Sequence, residues 1–557
     1  MNGIHHAFSQ NHYGFDTTIL VGKDMQIFRP RQIKIDHYNN KFVVGCFKGA
    51  LTIDTFTIST SSAITNNPYE YAQGIFVAKY DSLNKIQWIK KFAEADTLYD
   101  MAMEIDHSNN LVANYVFFSK AWLLNDSIVC NGSSCVNIIK YDNDGNIIFK
   151  KVYAGNGNEG IGTRGLAIDE DNKIYACVNF GIPGVNNYEY IFGNDTLISN
   201  NLDPFILKSD SNGNIISIYQ FGGPEMNSFS SLEFENGYIY VVGRTNTDSA
   251  HINNIVLNYP SNYDQKKFIA KLDTTGTCIW AIRFGTNYYG GMGSAGISKI
   301  AITKKSVYFA GAGYDQTQLE FLFDGGGSLM GIGAGSYNSF IARYDFDGHF
   351  KWSKMVPNCE TAMQIDSDSL DQIKGVGSFG SGNTDIYIIS YDSLGNIKWN
   401  IQGGGFGIDR GSGIASDSHG KLFIVGGTTS SGGCYMGNDT LYPPANQSTL
   451  FFASLDSIPT LAPDGIREYQ TRDNLIKVYP NPAYNILTIV LETDAIPFAQ
   501  EAKIEIYNTL GQMIQQLDVS KKSPYHQLDV SNFYNGIYYM KYIDKHTNST
   551  KKFIVQH

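Results

Sequence analysis

The chain has 557 residues, of which 42 are Lys or Arg and 53 are Asp or Glu, giving a formal net charge of −11. No basic block occurs, which argues against nucleic-acid binding through clustered phosphate contacts. No window approaches the ~18 uninterrupted apolar residues of a membrane-spanning helix. With 56 Gly, 36 Tyr, 33 Phe and only 17% charged residues, the composition suits short aromatic strands joined by Gly/Asn/Asp turns, and it suits helices poorly. The first residues, MNGIHHAFSQNHYGFD, have neither a basic nor an apolar region and do not read as a signal peptide. His5, His6 and His12 fall in this stretch and carry no metal expectation.

One phrase then recurs: an apolar run, Lys-Tyr-Asp or a variant, a turn, and an apolar strand with an aromatic. It reads FVAKYDSLNKIQW from Phe76, NIIKYDNDGNIIF from Asn137 and FILKSDSNGNIIS from Phe205. It returns as FIAKLDTTGTCIW from Phe268, FIARYDFDGHFKW from Phe340 and YIISYDSLGNIKW from Tyr387, with a shortened copy, FFASLD, from Phe451. Trp88, Trp280, Trp352 and Trp399 follow their aspartates at one fixed offset, where Phe149 and Ser217 stand in the second and third copies. A fixed place for a large aromatic predicts a recurring packing pocket.

Between these phrases lies a second one, an apolar strand ending near Asp and another ending near Gly. Examples are IKIDHYNNKFVVG from Ile33, LAIDEDNKIYACV from Leu166, LEFENGYIYVVG from Leu232, IAITKKSVYFAG from Ile300 and IASDSHGKLFIVGG from Ile414, with weaker copies at Met103 and Met363. Each phrase holds two strands and a turn able to adopt φ > 0, so two phrases make a four-stranded unit of roughly 60 residues. Such units repeated radially are the blades of a β-propeller, and seven copies predict seven blades over residues 1–456. The seventh copy lacks its last strand. The run TILVGKDMQIF (residues 18–28) is expected to supply it and close the circle. The two phrases resemble the seven-bladed β-propeller repeat family of bacterial surface and secreted proteins.

Residues 457–474, SIPTLAPDGIREYQTRDN, read as a linker. Residues 475–557 then alternate strands with turns at NPAYN, NTLG and NG, which predicts a small antiparallel β-sandwich. The ordered motifs YPNPAYN (Tyr479, Pro480, Asn481, Pro482 to Asn485), IYNTLGQ (with Gly511), LDVS, NGIYY (Asn535, Gly536) and KKFI (Lys551, Lys552) resemble the type A carboxy-terminal sorting domain of the type IX secretion system of Bacteroidota. That resemblance implies recognition by the outer-membrane translocon and an extracellular or outer-membrane-surface location. It also implies an amino-terminal signal peptide, which the first residues do not show.

Candidate chemistry is sparse. Cys46, Cys177 and Cys278 sit in apolar strands and read as buried thiols, whereas Cys130 and Cys135 flank a turn and could pair as a disulfide. Asp142 to Asn146, DNDGN, starts like a calcium loop. Tyr153 stands where the closing Glu belongs, so it reads as a hairpin turn. The glycine clusters at 325–327 and 403–407 do not join a strand to a helix and read as flexible loop crossings. No catalytic residue can be named, and no metal or cofactor is expected. The expectation is a secreted, all-β, non-catalytic propeller that binds an extracellular glycan or protein, without nucleic acid and without a transmembrane segment. The alternative is a polysaccharide hydrolase or lyase with acidic residues in the funnel. A structural surface component is a third reading.

Overall fold

The computed structural model describes residues 17–455, 476–491 and 502–557, apart from connecting stretches of which 61–73 and 154–161 are the longest. It divides into two compact units, Met1–Leu461 and Ala462–His557. Among the described residues every regular element is a β-strand, so the chain is all-β.

In the first unit most of the described strands fall into seven antiparallel sets of four, with short hairpin strands beside them. Sheet I holds Met25–Ile35, Lys41–Ile53, Gly74–Tyr80 and Ile86–Ala95, and sheet II holds Leu98–Ile105, Leu111–Leu123, Val136–Tyr141 and Ile147–Tyr153. Sheet III holds Gly162–Ile168, Ile174–Phe180, Asp203–Ser209 and Ile215–Gln220; sheet IV holds Asn227–Glu235, Tyr238–Thr245, Gln265–Asp273 and Cys278–Tyr288. Sheet V holds Ala295–Ile302, Ser306–Asp315, Ser336–Asp345 and Phe350–Val356; sheet VI holds Gln364–Ser367, Ile373–Phe379, Asp385–Tyr391 and Ile397–Gly404. Sheet VII takes Asp409–Ser416, Leu422–Thr428, Thr449–Leu455 and, from the other end of the unit, Thr17–Val21.

The segment expected to close the last sheet is therefore divided. Thr17–Val21 pairs with Thr449–Leu455, from Thr17 opposite Ser454 to Val21 opposite Leu450, whereas Met25–Phe28 already belong to sheet I, opposite Lys41–Ile53. The first strand of each sheet lies beside that of the next in chain order, and that of sheet VII lies beside that of sheet I. Second and third strands such as Ile174–Phe180 and Gly74–Tyr80 are buried along their whole length. They read as continuous apolar runs because neighbouring sheets cover both faces.

The repeated aspartates make the turns. In each Asp-x-x-Gly/Asn turn the Asp Oδ1 accepts the amides two and four residues on, as Asp142 does from Asp144 at 3.0 Å and Asn146 at 2.7 Å. The residue three positions on has φ near +60 to +80°, which an Asn or Gly adopts most easily: Asn39, Asn109, Gly145, Gly213 and Gly395. The DNDGN turn is thus a hairpin turn held by its own aspartate.

The same turns lock adjacent sheets. Lys140 Nζ donates to the Ser211 carbonyl at 3.1 Å, Lys208 to Thr274 at 2.9 Å, Lys271 to Phe346 at 3.1 Å, and Arg343 Nη1 to Ser393 at 2.6 Å. Lys79 likewise reaches Asn143 O at 3.1 Å. The recurring aromatic packs on the turn glycine of the next sheet. A Cβ on Gly145 would lie 3.1 Å from Trp88, on Gly213 2.7 Å from Phe149, on Gly348 3.0 Å from Trp280, and on Gly395 2.9 Å from Trp352. In the third copy, where Ser217 stands at the aromatic position, Tyr219 covers Gly276 instead.

In the second unit, Ile476–Tyr479, Ile486–Leu491 and Tyr525–Asp529 form one sheet, and Met513–Val519, Ala502–Asn508, Gly536–Ile543 and Asn548–Val555 form another. Leu487, Ile489, Ile504, Ile506, Met540 and Phe553 share one core between them.

Candidate functional site

Three places carry functional chemistry. The first is a cavity of about 580 Å³ lined by the first strands of sheets I to VII. Four carboxylates line it: Glu104, Glu233, Glu235 and Asp366. Lys34 forms an ion pair with Glu104 within it. Burial pushes the Asp366 carboxyl above its usual range, and the Ser416 amide, donating to it at 2.7 Å, opposes that shift. The sequence offered no means of choosing these acids among so many. Their common position becomes visible only when the seven first strands are side by side.

The second place lies at the opposite strand ends from the aspartate turns. Residues 405–408 join the last strand of sheet VI to the first of sheet VII. The short hairpin of Cys434–Met436 and Asp439–Leu441, inserted in sheet VII, pairs onto sheet VI with Gly403 opposite Met436. The hairpin carries Tyr435 and leads to Tyr442, and the loop carries Phe406. These rings are 47%, 67% and 81% exposed. A Cβ on Gly433 would meet the rings of Tyr442 at 3.4 Å and Tyr435 at 3.8 Å, so both tyrosines flank one glycine. A Cβ on Gly405 would come within 2.0 Å of the Gly433 carbonyl, and one on Gly407 within 2.8 Å of the Ser430 amide. The glycines of 403–407 are thus needed for close approach of two backbones, which corrects their reading as flexible crossings. Those of 325–327 belong to the turn between Leu319–Phe323 and Ser328–Met330.

The predicted disulfide cannot be placed, because Cys135 and the side chain of Cys130 lie outside the described residues. Cys46, Cys177 and Cys278 are buried cysteines outside any disulfide, as are Cys359 and Cys434.

The third place is the carboxy-terminal motif set. Asn481 Oδ1 accepts the Ile554 amide at 2.8 Å, the Ala483 amide donates to Ile554 O at 2.8 Å, and Gln556 N donates back to Ala483 O at 2.9 Å. The YPNPA segment is thereby clamped onto the strand that carries Lys551 and Lys552, two motifs that lie far apart in sequence. Asn535 Oδ1 accepts the His557 amide at 2.7 Å, and Asn485 O accepts the Val530 amide at 2.8 Å. Tyr479, Tyr484 and Tyr534 are 50%, 61% and 89% exposed, while Pro480 and Pro482 follow cis peptide bonds and Gly536 opens the strand paired with Lys551 and Lys552. Gly511 and the linker 457–474 lie outside the described residues.

Residues 477–556 match the family model of the secretion system C-terminal sorting domain. The chain ends in a C-terminal sorting domain. This domain marks the protein as cargo of the type IX secretion system and as attached to the outer cell surface. Among the described residues no helix is long and apolar enough to cross a membrane.

No curated protein matches the chain. Among solved structures, the phage phi92 endosialidase is 9% identical, with 97% of this chain and 87% of that one covered at a TM-score of 0.34. A subtype N10 neuraminidase-like protein of A/little yellow-shouldered bat/Guatemala/060/2010 is 11% identical over 64% of this chain and 94% of its own, at 0.29. A member of the duf4221 family from Bacteroides vulgatus is 12% identical over 65% and 95%, at 0.28. Likenesses at that level say nothing about the chemistry of this chain.

Proposed function

We propose that residues 1–456 form a seven-bladed β-propeller, closed by Thr17–Val21, that binds an extracellular glycan without catalysis while the sorting domain keeps the protein at the cell surface. The observation carrying the reading is the group of exposed rings, Phe406, Tyr435 and Tyr442, on adjoining loops of one strand-end face. Flat exposed aromatics present large, rigid, amphipathic area at low entropic cost, and monomeric proteins seldom expose such area without use. The repeat supports the architecture: seven four-stranded sets occur among the described residues, and their first strands neighbour one another in order.

A hydrolase or lyase acting from the cavity is the second reading, favoured by the convergence of Glu104, Glu233, Glu235 and Asp366. The full chain is screened on a glycan panel while reducing ends are followed. The binder reading expects retention without new reducing ends, and loss of retention in Phe406→Ala, Tyr435→Ala and Tyr442→Ala. New reducing ends that vanish in Glu233→Gln or Glu235→Gln establish the enzyme instead. Silence in both channels overturns both readings and leaves a protein partner or a structural role.

A further inference from the structure

We propose that Thr384, Asp385 and Asp409 hold a hard divalent cation of the calcium class where sheet VI meets sheet VII. Asp409 opens the first strand of sheet VII and is completely buried. In the repeat it occupies the place that Phe28 has before Asp36 and Leu98 before Asp106, so a carboxylate replaces an apolar residue. Its Oδ2 accepts the Gly405 amide at 2.8 Å and the Ser430 hydroxyl at 2.7 Å. Its Oδ1 has no partner among the described residues, and neither has Asp385 Oδ1 nor Thr384 Oγ1.

The residues that carry these three oxygens adjoin one another. The Asp409 amide donates to Thr384 O at 2.6 Å. The Gly405 amide faces both carboxyls, and Asp385 packs on the Cα of Gly404, where a Cβ would meet its Oδ1 at 2.1 Å. Among the described residues no Lys, Arg or His forms an ion pair with either acid. Burial first, and then the charge of Asp409, raises the Asp385 pKa above the usual carboxylate range. Burial, and then the Asp409 charge, also push the neighbouring Cys434 thiol up to about 12; it stays protonated, hydrogen-bonds Asp409, and is no ligand itself.

A buried carboxylate beside a half-buried one, each with an enclosed oxygen that lacks a partner, is costly unless a cation or a shared proton offsets the pair. Carboxylate and hydroxyl oxygens are the ligands that calcium takes. Sheet III supplies an internal contrast. Asp203 packs on Gly222 in the same way, with a Cβ-to-Oδ1 distance of 2.2 Å, but the residue matching Asp409 at the head of the next sheet, IV, is Asn227, so no second carboxylate stands there. The cation would fix residues 405–409 and the backbone at 429–430 and 432–434 that carries or adjoins the exposed rings, and it stands whether or not those rings bind glycan.

The test uses the full chain, stripped with EGTA and titrated with calcium chloride, with bound metal counted by native mass spectrometry and unfolding followed by calorimetry. One equivalent bound, with a rise in the melting temperature of the first unit, is expected for the wild type. Both are expected to disappear in Asp385→Asn and in Asp409→Asn. They are expected to persist in Asp347→Asn, which alters the group of half-buried Asp345 and exposed Asp347 and His349. If Asp409→Asn does not fold, Asp385→Asn decides alone. No bound equivalent in the wild type, or an equivalent retained in Asp385→Asn, overturns the proposal. The first of those results, joined to a melting temperature that rises as pH falls, assigns the pair a shared proton.

Discussion

Two kinds of seam join the sheets of the first unit. From sheet I to sheet VI, a third-strand cation reaches a turn carbonyl of the next sheet: Lys79, Lys140, Lys208, Lys271 and Arg343. At the seams flanking sheet VII the position is Ser390 or Ser454, and a second-strand lysine serves instead. Lys374 Nζ approaches Ser416 Oγ and Gly420 O at 3.4 Å each, and Lys41 bonds Ser82 O at 2.9 Å while lying 4.4 Å over the Phe423 ring. The irregular region is where the repeat has been rewritten, and it carries the half-buried Asp385, the buried Asp409 and the exposed rings.

The largest way to break the comparison is to attack a regular seam. Gly395 has φ +80° with Trp352 2.9 Å from its missing Cβ. Gly395→Ala combines a left-handed backbone penalty with displacement of a packed indole, for a loss of roughly 3 kcal/mol. Gly325 has φ +72°, yet its nearest neighbour, Phe350, is 3.7 Å away. Gly325→Ala is expected to cost about 1 kcal/mol, the backbone share alone. Urea denaturation of the two variants checks the difference, and equal losses would remove the packing argument.

A smaller effect tests the irregular side. Ser390 is fully buried and lies directly opposite Lys374 in the register of sheet VI. Restoring the repeat residue with Ser390→Lys crowds a second ammonium against the first and is expected to destabilise by about 2 kcal/mol. A stabilised variant would show that the seam tolerates the ordinary staple, and that the serine has no reason in packing or charge.

The strands, their turns and the sorting motifs were legible because each has a residue-type signature. Alternation and apolar runs give strands, Asp and Gly give turns, and YPNPA to KKFI is an ordered set. The offset of Trp88, Trp280 and Trp352 announced a pocket. What it could not announce was the pocket's floor, the Cα of a glycine one sheet further on, because a backbone leaves no mark on the partner's sequence. The Asp385 and Asp409 pair was hidden for a related reason. The two acids meet only because the 405–408 connection folds back between sheets, and a single carboxylate in an apolar position was the one available sign. Phe406, Tyr435 and Tyr442 gather because an inserted hairpin pairs with the preceding sheet, a choice between two available edges that strand periodicity does not encode.

The smallest expected effect uses a lysine that belongs to neither kind of seam. Lys267, in the third strand of sheet IV, is 6% exposed and faces Arg244 across the sheet. Burial, helped by the Arg244 charge, lowers its pKa to about 8. An unfolded lysine titrates near 10.4. Between those values the unfolded chain holds a proton that the folded chain has released, so stability rises with pH across that window and the penalty is complete below about 8. The gain from pH 8 to pH 9 is about 1 kcal/mol. Buried tyrosines, Tyr259 and Tyr344 among them, have raised pKa values and pull the other way only as pH approaches 10. Urea midpoints of wild type and Lys267→Met at pH 8 and pH 9 isolate the lysine, and the variant is expected to lose the upward slope. A slope that survives the substitution would mean that Lys267 keeps its charge in the folded protein. The seams would then not be the only places where this fold shelters a buried cation.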